Sequence, residues 1–415
     1  MLNRRGFISS TGALLGATTI SPAPVAAQAT VTDPWARTPA PDSFDPWVEV
    51  IADAIRNNVR QLNRFSGCRL MAVIKNNANG IGLREIGPIL DAMDEVSGLA
   101  VVRVDEALAL RSVGVTKPIL MMAHLSPTEM EEVVRHGVRP ALYQDDARAE
   151  IERVAAATSS PVPVHVMVDT GMNRIGMPHT RALPWLADLA ASPAVRIEGT
   201  FTMFSGARRD DGSQFDLEHL RRFQRTVEEA RAQGIELGLL HGAPSGQIVR
   251  VPETHELDLI RPGGAIYGLD GYRRDASGAD IMDIRPTFRL RARLTRVERI
   301  PTGEGVSFGH QFIAERPTWV ATIPIGHTDG YPRDAAGNCA ALVGDRVYPV
   351  VAVISSNHTI IEVGSDQTVQ VGDIATLVGP DHPDVTPISV ATKTSLGRDY
   401  WIMTKLNALL HRRVV

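Results

Sequence analysis

Short apolar runs alternate with segments of helical period along most of this chain. Runs of strand length stand at Leu70–Ile74, Leu99–Val104, Pro118–Met122, Val162–Val168, Ile197–Phe201 and Leu237–His241. Between them Asp105–Arg111, Pro127–His136, Gln144–Ala157 and Gln214–Gln233 carry apolar residues at helical spacing. Strand then helix, repeated about eight times over roughly 220 residues, predicts parallel strands joined by crossover helices. A (β/α)8 barrel fits this best, with a doubly wound sheet as the alternative.

The period changes near Arg285. Phe288–Ile300, Trp319–Ile325, Arg346–Ser355, Thr359–Val363 and Asp373–Val378 read as strands between Gly, Asp and Pro turns. Helical patterns return only near the end of the sequence. The pattern predicts a barrel over residues 46–284 and a second, mainly antiparallel β domain over 285–415.

The opening residues read differently. Asn3-Arg-Arg-Gly-Phe-Ile8 sets two arginines before a modest apolar stretch from Ala13 to Ile20, and Ala27-Gln-Ala29 offers a small-residue cleavage site. The arginine pair predicts a twin-arginine signal over 1–29, hence export to the periplasm, with a Pro-, Thr- and Asp-rich linker over 30–45. Cleavage there removes Arg4, Arg5 and no acid, which deepens the net charge of −4 by two. The chain has 415 residues, 44% of them hydrophobic, which is ample for two cores. Few aromatics and no basic run argue against nucleic acid as a partner. No apolar run of about 18 residues is present, so no membrane span is expected. Cys68 and Cys339 fall in different expected domains and in no metal-type spacing, so both read as unpaired, buried, small apolar residues.

Candidate chemistry gathers at strand ends. In Leu70-Met-Ala-Val-Ile-Lys-Asn-Asn-Ala-Asn-Gly-Ile-Gly82 a lysine, Lys75, closes an apolar strand before a Gly-rich turn. The C-terminal mouth of a barrel is where such folds keep their chemistry. A partly dry amine there has a lowered pKa and can form a Schiff base. Three further motifs follow: Val168-Asp-Thr-Gly-Met-Asn-Arg-Ile-Gly176, His241-Gly-Ala-Pro-Ser-Gly246 and Leu259-Ile-Arg-Pro-Gly-Gly-Ala-Ile-Tyr-Gly268.

Together these four segments resemble the alanine racemases, over most of the chain after residue ~45. The resemblance implies a (β/α)8 barrel, a C-terminal β domain and pyridoxal 5'-phosphate (PLP) on Lys75, which also serves as the base on one face. It implies that Arg174 contacts the cofactor's phenolic oxygen or the substrate carboxylate, and that Ser245, Gly263 and Gly264 hold the phosphate. Arg261 is expected to face the pyridine nitrogen. His241 either orients the ring's surroundings or is a satisfied structural histidine. No metal is implied. The partners implied are a small amino-acid substrate and a second copy of the chain in a head-to-tail homodimer, each β domain closing the other's barrel mouth.

Departures from the family's pattern are equally specific. Gly303-Glu-Gly-Val-Ser-Phe-Gly-His-Gln-Phe312 carries Phe308 where the family has a tyrosine that is the second catalytic base. Phenylalanine has no proton to give or take. Residues two apart in a strand face one side, so His310 is one substitute. His327, in Ile325-Gly-His-Thr-Asp-Gly-Tyr-Pro-Arg333, is another. Either can instead be a solvated loop histidine. Met167 stands where many members carry a CO2-modified lysine, Asn79 where a tyrosine near the phosphate is expected, and Met203 where a histidine covers the ring. Ser356 and Asn357 replace a Met-Asp pair and favour a substrate bulkier or more polar than alanine. The expected activity is an exported PLP-dependent amino-acid racemase. A lyase or retro-aldolase acting on a β-substituted amino acid, and a non-catalytic binder, are the alternatives.

Overall fold

Trp47–Val50 is a strand buried along its whole length, its apolar residues interrupted by Glu49. The computed structural model describes residues 40–206, 212–275 and 277–415. The signal-like stretch 1–29, and the linker up to residue 39, lie outside the described residues. The run Trp47–Val50 forms β1.

Eight strands then pair in parallel: β2 (Arg69–Val73), β3 (Val96–Val101), β4 (Ile119–Met121), β5 (Val138–Leu142), β6 (Val162–Asp169), β8 (Val195–Phe201), β9 (Leu239–Gly242) and β10 (Leu259–Ile260); a two-residue strand, β7 (Met177–Pro178), adds to β6. Pairing of β5 with β6 and of β10 with β2 closes the ring. That closure excludes the doubly wound sheet, which has open edges. Helices connect the strands, among them Leu83–Asp91, Val104–Ser112, Pro127–Arg135, Ala147–Thr158, His179–Ala190 and Gly212–Ala232.

Alternation along the strands sorts the side chains. Met71, Ala100, Leu120, Ala141, Met167, Phe201 and Leu259 point inward and fill the lumen, with Val73, Met122, Tyr143 and Met203 packed against them. Outward neighbours such as Leu70, Leu99, Ile119 and Val166 are fully buried in the main core. Each contributes roughly 1.5–3 kcal/mol of apolar burial. The lumen is therefore packed, and the functional groups stand above its upper rung.

The second sheet comprises β11 (Phe288–Arg293), β12 (Arg296–Ile300), β15 (Thr318–Ile323), β16 (Ala340–Val343), β17 (Arg346–Val351), β18 (Thr359–Gly364), β19 (Ile374–Val378) and β20 (His411–Val414) together with β1. A separate hairpin pairs β13 (Gly305–Val306) with β14 (Phe312–Ile313). The sheet order is β12-β15-β18-β17-β16-β19-β11-β1-β20, antiparallel except where β1 meets β20. One expected boundary moves. Trp47–Val50, within the span assigned to the barrel, pairs instead with β11 and β20. Its Glu49 explains the placement. Arg289 and Arg291, two apart on β11, both bind that carboxylate (3.2 and 3.0 Å) and share Asp381 on their other side.

Both cysteines are buried and free. Burial pushes both thiols up, Cys339 to about 11, so neither is a ready nucleophile. Among the described residues no helix is long and apolar enough to cross a membrane.

Candidate active site

Lys75 follows β2 and opens a turn of unusual hand. Asn76, Asn77, Ala78 and Asn79 all have φ between 53° and 56°, in the left-handed region. Such residues cost roughly 1–2 kcal/mol each, and after glycine asparagine is among those that tolerate the region best. The asparagine-rich sequence is therefore the local reason for the turn. Its backbone groups are also caught. The Glu106 carboxylate accepts from the amides of Asn77 (3.0 Å), Val102 and Arg103 (3.2 Å each), and Asn77 Oδ1 accepts from Leu83 N (2.8 Å). Arg412 on β20 donates to the carbonyls of Gly80 (2.8 Å) and Ile81 (2.9 Å). Gly80 can only be glycine, because a Cβ would lie 2.1 Å from the Met403 carbonyl oxygen.

The amine of Lys75 stands over the barrel mouth. Burial first, then the Arg174 charge, hold its pKa below the ordinary lysine value, and Glu106 opposes them. Arg174 lies in the loop after β6, exposed, with no ion pair among the described residues. That loop is shaped by Asp169, whose Oδ1 accepts from Gly171 N and Met172 N at 2.8 Å. Met167 sits lower, in the lumen, where it braces nothing polar.

Arg261 follows β10 and is 2% exposed. Its Nη2 donates to Thr202 O (2.5 Å) and lies 2.6 Å from Met203 Sδ, and its guanidinium stacks on Phe201 at 4.4 Å. Its Nε and Nη1 are buried without a hydrogen-bond partner. Burial, then Arg174, pull its pKa down to about 9, so it remains charged near neutral pH. An unpaired buried guanidinium carries a desolvation cost, which an acceptor placed against Nε and Nη1 would relieve.

Beneath it His241 stacks on Phe201 (4.8 Å), and its Nε2 shares a hydrogen bond with His165 Nδ1 at 2.7 Å. Both rings are buried, and Gly199 makes the room, since a Cβ there would meet His165 Nδ1 at 2.5 Å. Burial lowers His241 well below the usual histidine value and takes His165 to about 4. Of the two readings of His241, it lies in the layer under Arg261, bonded to a second histidine that the sequence reading passed over. Ser245 opens the helix Ser245–Arg250, and its Oγ accepts from Gly263 N and Ala265 N at 3.1 Å each, which brings Ser245, Gly263 and Gly264 together. Tyr267 ties this loop to the lysine strand by donating to Val73 O (3.0 Å).

The β-domain candidates form a separate rim. Phe308–His310 is a 3-10 turn with Gly309 at φ 69° and His310 at φ 44°, so the strand alternation expected of His310 does not operate. Its ring folds back over Gly305, whose Cβ would stand 2.3 Å from the imidazole Cγ. Phe308 is 72% exposed. His327 N donates to Ser355 O (3.0 Å), and Thr328 Oγ1 to Ser356 O (2.7 Å), so His327 and Ser356 are neighbours, with Asn357 exposed beside them. Ser307 Oγ donates to Val353 O (3.0 Å) and joins the hairpin to this rim. No hydrogen bond or ion pair among the described residues joins His310, His327, Ser356 or Asn357 to Lys75, Arg174 or Arg261 of the same chain.

One chain of contacts does cross between the halves. Arg412 also donates to Asn407 O (3.1 Å), and Asn407 donates to Thr328 O (3.2 Å) and Asp329 O (3.3 Å). The lysine turn and the His327 loop are thus held through the same two residues. Neither was singled out from the sequence, where an arginine near the last strand carries no signal of its own. Asn79, 9% exposed, belongs to the left-handed turn itself.

A family model described as alanine racemase, N-terminal domain, matches residues 50–271, and one described as alanine racemase, C-terminal domain, matches 287–414. An alanine racemase of Desulfovibrio desulfuricans is 34% identical over 346 residues, covering 82% of this chain and 92% of that relative. Among solved structures, the histidine racemase of Leuconostoc mesenteroides superposes with a TM-score of 0.81 at 24% identity, covering 91% of this chain and 100% of that one. The alanine racemase of Bartonella henselae, with covalently bound pyridoxal phosphate, does so at 0.73 and 24% identity, over 91% and 100% of the two chains. At that identity the last two likenesses speak for the fold.

The buried histidine pair sets a pH dependence. Its folded pKa values lie below the unfolded value of ~6.5, so the unfolded chain binds more protons as pH falls. Stability from this pair is present above pH ~6.5 and lost as pH drops toward about 4. The urea midpoint of the cofactor-free protein should fall across that window, and His165→Asn should show a shallower fall.

Proposed function

The chain belongs to the alanine racemase family, and from that premise we propose an exported PLP-dependent amino-acid racemase in which Lys75 works on one face of the substrate and a histidine of a partner's β-domain rim on the other. The observation that carries the reading is Arg261. Its two orphaned donors, charged and dry, fit the unprotonated ring nitrogen of PLP, which is an acceptor. The other groups fit as well. Lys75 offers the amine, and the Ser245 hydroxyl and the Gly264 amide offer hydrogen bonds to phosphate, beside Gly263, whose amide donates to Ser245 Oγ. When bound, PLP draws electrons from the substrate's α-carbon and so acidifies its α-hydrogen.

The chain's own residues do the rest. Lys75 Nζ, biased toward its neutral form by burial and by Arg174, takes or returns the α-proton on one face. Arg174, unpaired at the mouth, binds the substrate carboxylate or the ring's phenolic oxygen. Arg261 stays charged and has no proton-accepting form near neutral pH, so it moderates the electron sink. Racemisation needs a second acid–base group on the opposite face. His327 is favoured over His310, because the His310 ring is folded onto its own hairpin while His327 stands beside Ser356.

A head-to-tail dimer supplies that group in trans. Its support is that no hydrogen bond or ion pair among the described residues joins the rim to Lys75 within one chain, and the exposure on the hairpin of Phe308 (72%) and Ile313 (56%). Ser356 and Asn357 then offer polar contacts to the substrate side chain.

Three outcomes are expected. PLP-loaded protein incubated with single L- and D-amino acids in D2O should lose optical rotation while both enantiomers gain α-deuterium. His327→Asn should slow this by roughly 10²–10⁴. Deuterium entering with full retention of configuration would exclude racemisation and leave the one-face lyase. Second, only the neutral amine of Lys75 condenses with the cofactor aldehyde. The pH midpoint for PLP uptake, followed by absorbance, should lie below the ~10.4 of free lysine. Arg174→Gln removes a repelling cation and should raise it. Third, in cell fractionation the full chain should appear in the periplasm, and the Arg4→Lys, Arg5→Lys double variant should stay inside.

A further inference from the structure

The Ser245 hydroxyl lies between two bare backbones. Gly246 follows it in sequence, and Gly264 stands between the two residues whose amides it accepts from. Each glycine faces the polar head of a side chain that a Cβ would displace. At Gly246 the Cβ would be 3.0 and 3.1 Å from Nη2 and Nη1 of Arg250. At Gly264 it would be 2.6 Å from Cε2 of Tyr272 and 3.3 Å from its hydroxyl. Glycine here admits an arginine on one side of the serine and a tyrosine on the other.

These head groups are uncommitted. Among the described residues Arg250 makes no ion pair, the Tyr272 hydroxyl makes no hydrogen bond, and Gly264 N donates to nothing. Burial raises the pKa of the Tyr272 phenol, Arg398 and Arg250 oppose that rise, and Asp399 and Tyr400 add to it; Arg398 too makes no ion pair among the described residues. The Asp399 carboxylate accepts from Asp270 N (2.8 Å) and Tyr400 N (3.0 Å). Free guanidinium, phenol and amide donors around one serine are what a phosphate dianion requires. The position where the resemblance expects a phosphate-binding tyrosine holds Asn79, which is buried in the left-handed turn.

The geometry points to Tyr272 and Arg250 as phosphate-binding residues of this chain, completing with Ser245, Gly263 and Gly264 the cup that Asn79 leaves short of a hydroxyl. This rests on the cofactor being PLP. In the bound state the Tyr272 hydroxyl donates to one phosphate oxygen, and the Arg250 fork neutralises charge from the open side. Neither residue reaches the reacting carbon, so both act on affinity.

The test compares PLP with pyridoxal, which keeps the ring and aldehyde and lacks the phosphate. Borohydride reduction of the wild type, giving an adduct at Lys75, first checks the cofactor reading separately. Dissociation constants of both ligands are then measured by absorbance for wild type, Tyr272→Phe and Arg250→Gln. Each variant should bind PLP roughly ten-fold or more weakly, as loss of a hydrogen bond to a charged group implies. Pyridoxal affinity should stay within about two-fold, set by the aldehyde chemistry alone. Equal weakening of both ligands would mean a packing role and overturn the assignment, as would unchanged PLP affinity in both variants. Arg250 is exposed, so its variant keeps the test valid even if Tyr272→Phe folds poorly.

Discussion

Four successive residues in a left-handed conformation are a configuration that L-amino acids resist, and the site of this protein is built around them. The turn begins directly after Lys75, whose amine lies within reach of the Arg174 and Glu106 charges. Its cost is met from three directions. Asparagine lowers the steric penalty, Glu106 accepts from the Asn77 amide while also holding the amides at the start of its own helix, and Arg412 of the β domain binds the two carbonyls that follow the turn. Residues far apart in sequence thus converge on one backbone shape, which fixes where the nucleophilic nitrogen can be.

The electrostatics follow from that placement. Lys75, Arg174 and Arg261 share one mouth, and burial first, then the Arg174 charge, lower the pKa values of Lys75 and Arg261. Of nearby acids, Glu106 acts on Lys75 but spends its oxygens on backbone amides. Three cations with so little compensation make a site poor in its own company and receptive to anions. PLP brings a phosphate and a phenolic oxygen, and an amino acid brings a carboxylate. The barrel floor under them is neutral, because burial keeps His165 and His241 uncharged.

Much of the fold was readable because strand length and helical period are local properties. The barrel strands near residues 70, 99, 119 and 162, and the switch at 285, all lie where the apolar pattern puts them. The motif residues Lys75, Ser245, Arg261 and Gly263 sit at strand ends for the same reason. What escaped was set by partners distant in sequence. Trp47–Val50 looks like any short apolar run until Arg289 and Arg291 claim Glu49. The strand alternation assumed for His310 is absent, because Gly309 and His310 both have positive φ. Tyr272, Arg250 and Arg412 gave no signal, since each matters through a glycine or carbonyl met only in three dimensions.

The clamp on the lysine turn also orders events in time. Gly80 waits for Met403 and for Arg412, some 332 positions downstream. At a synthesis rate of ~5–20 residues per second, the ribosome needs roughly 15–70 s to deliver them. The turn that carries the lysine therefore gains its last supporting contacts only once the end of the chain has been made.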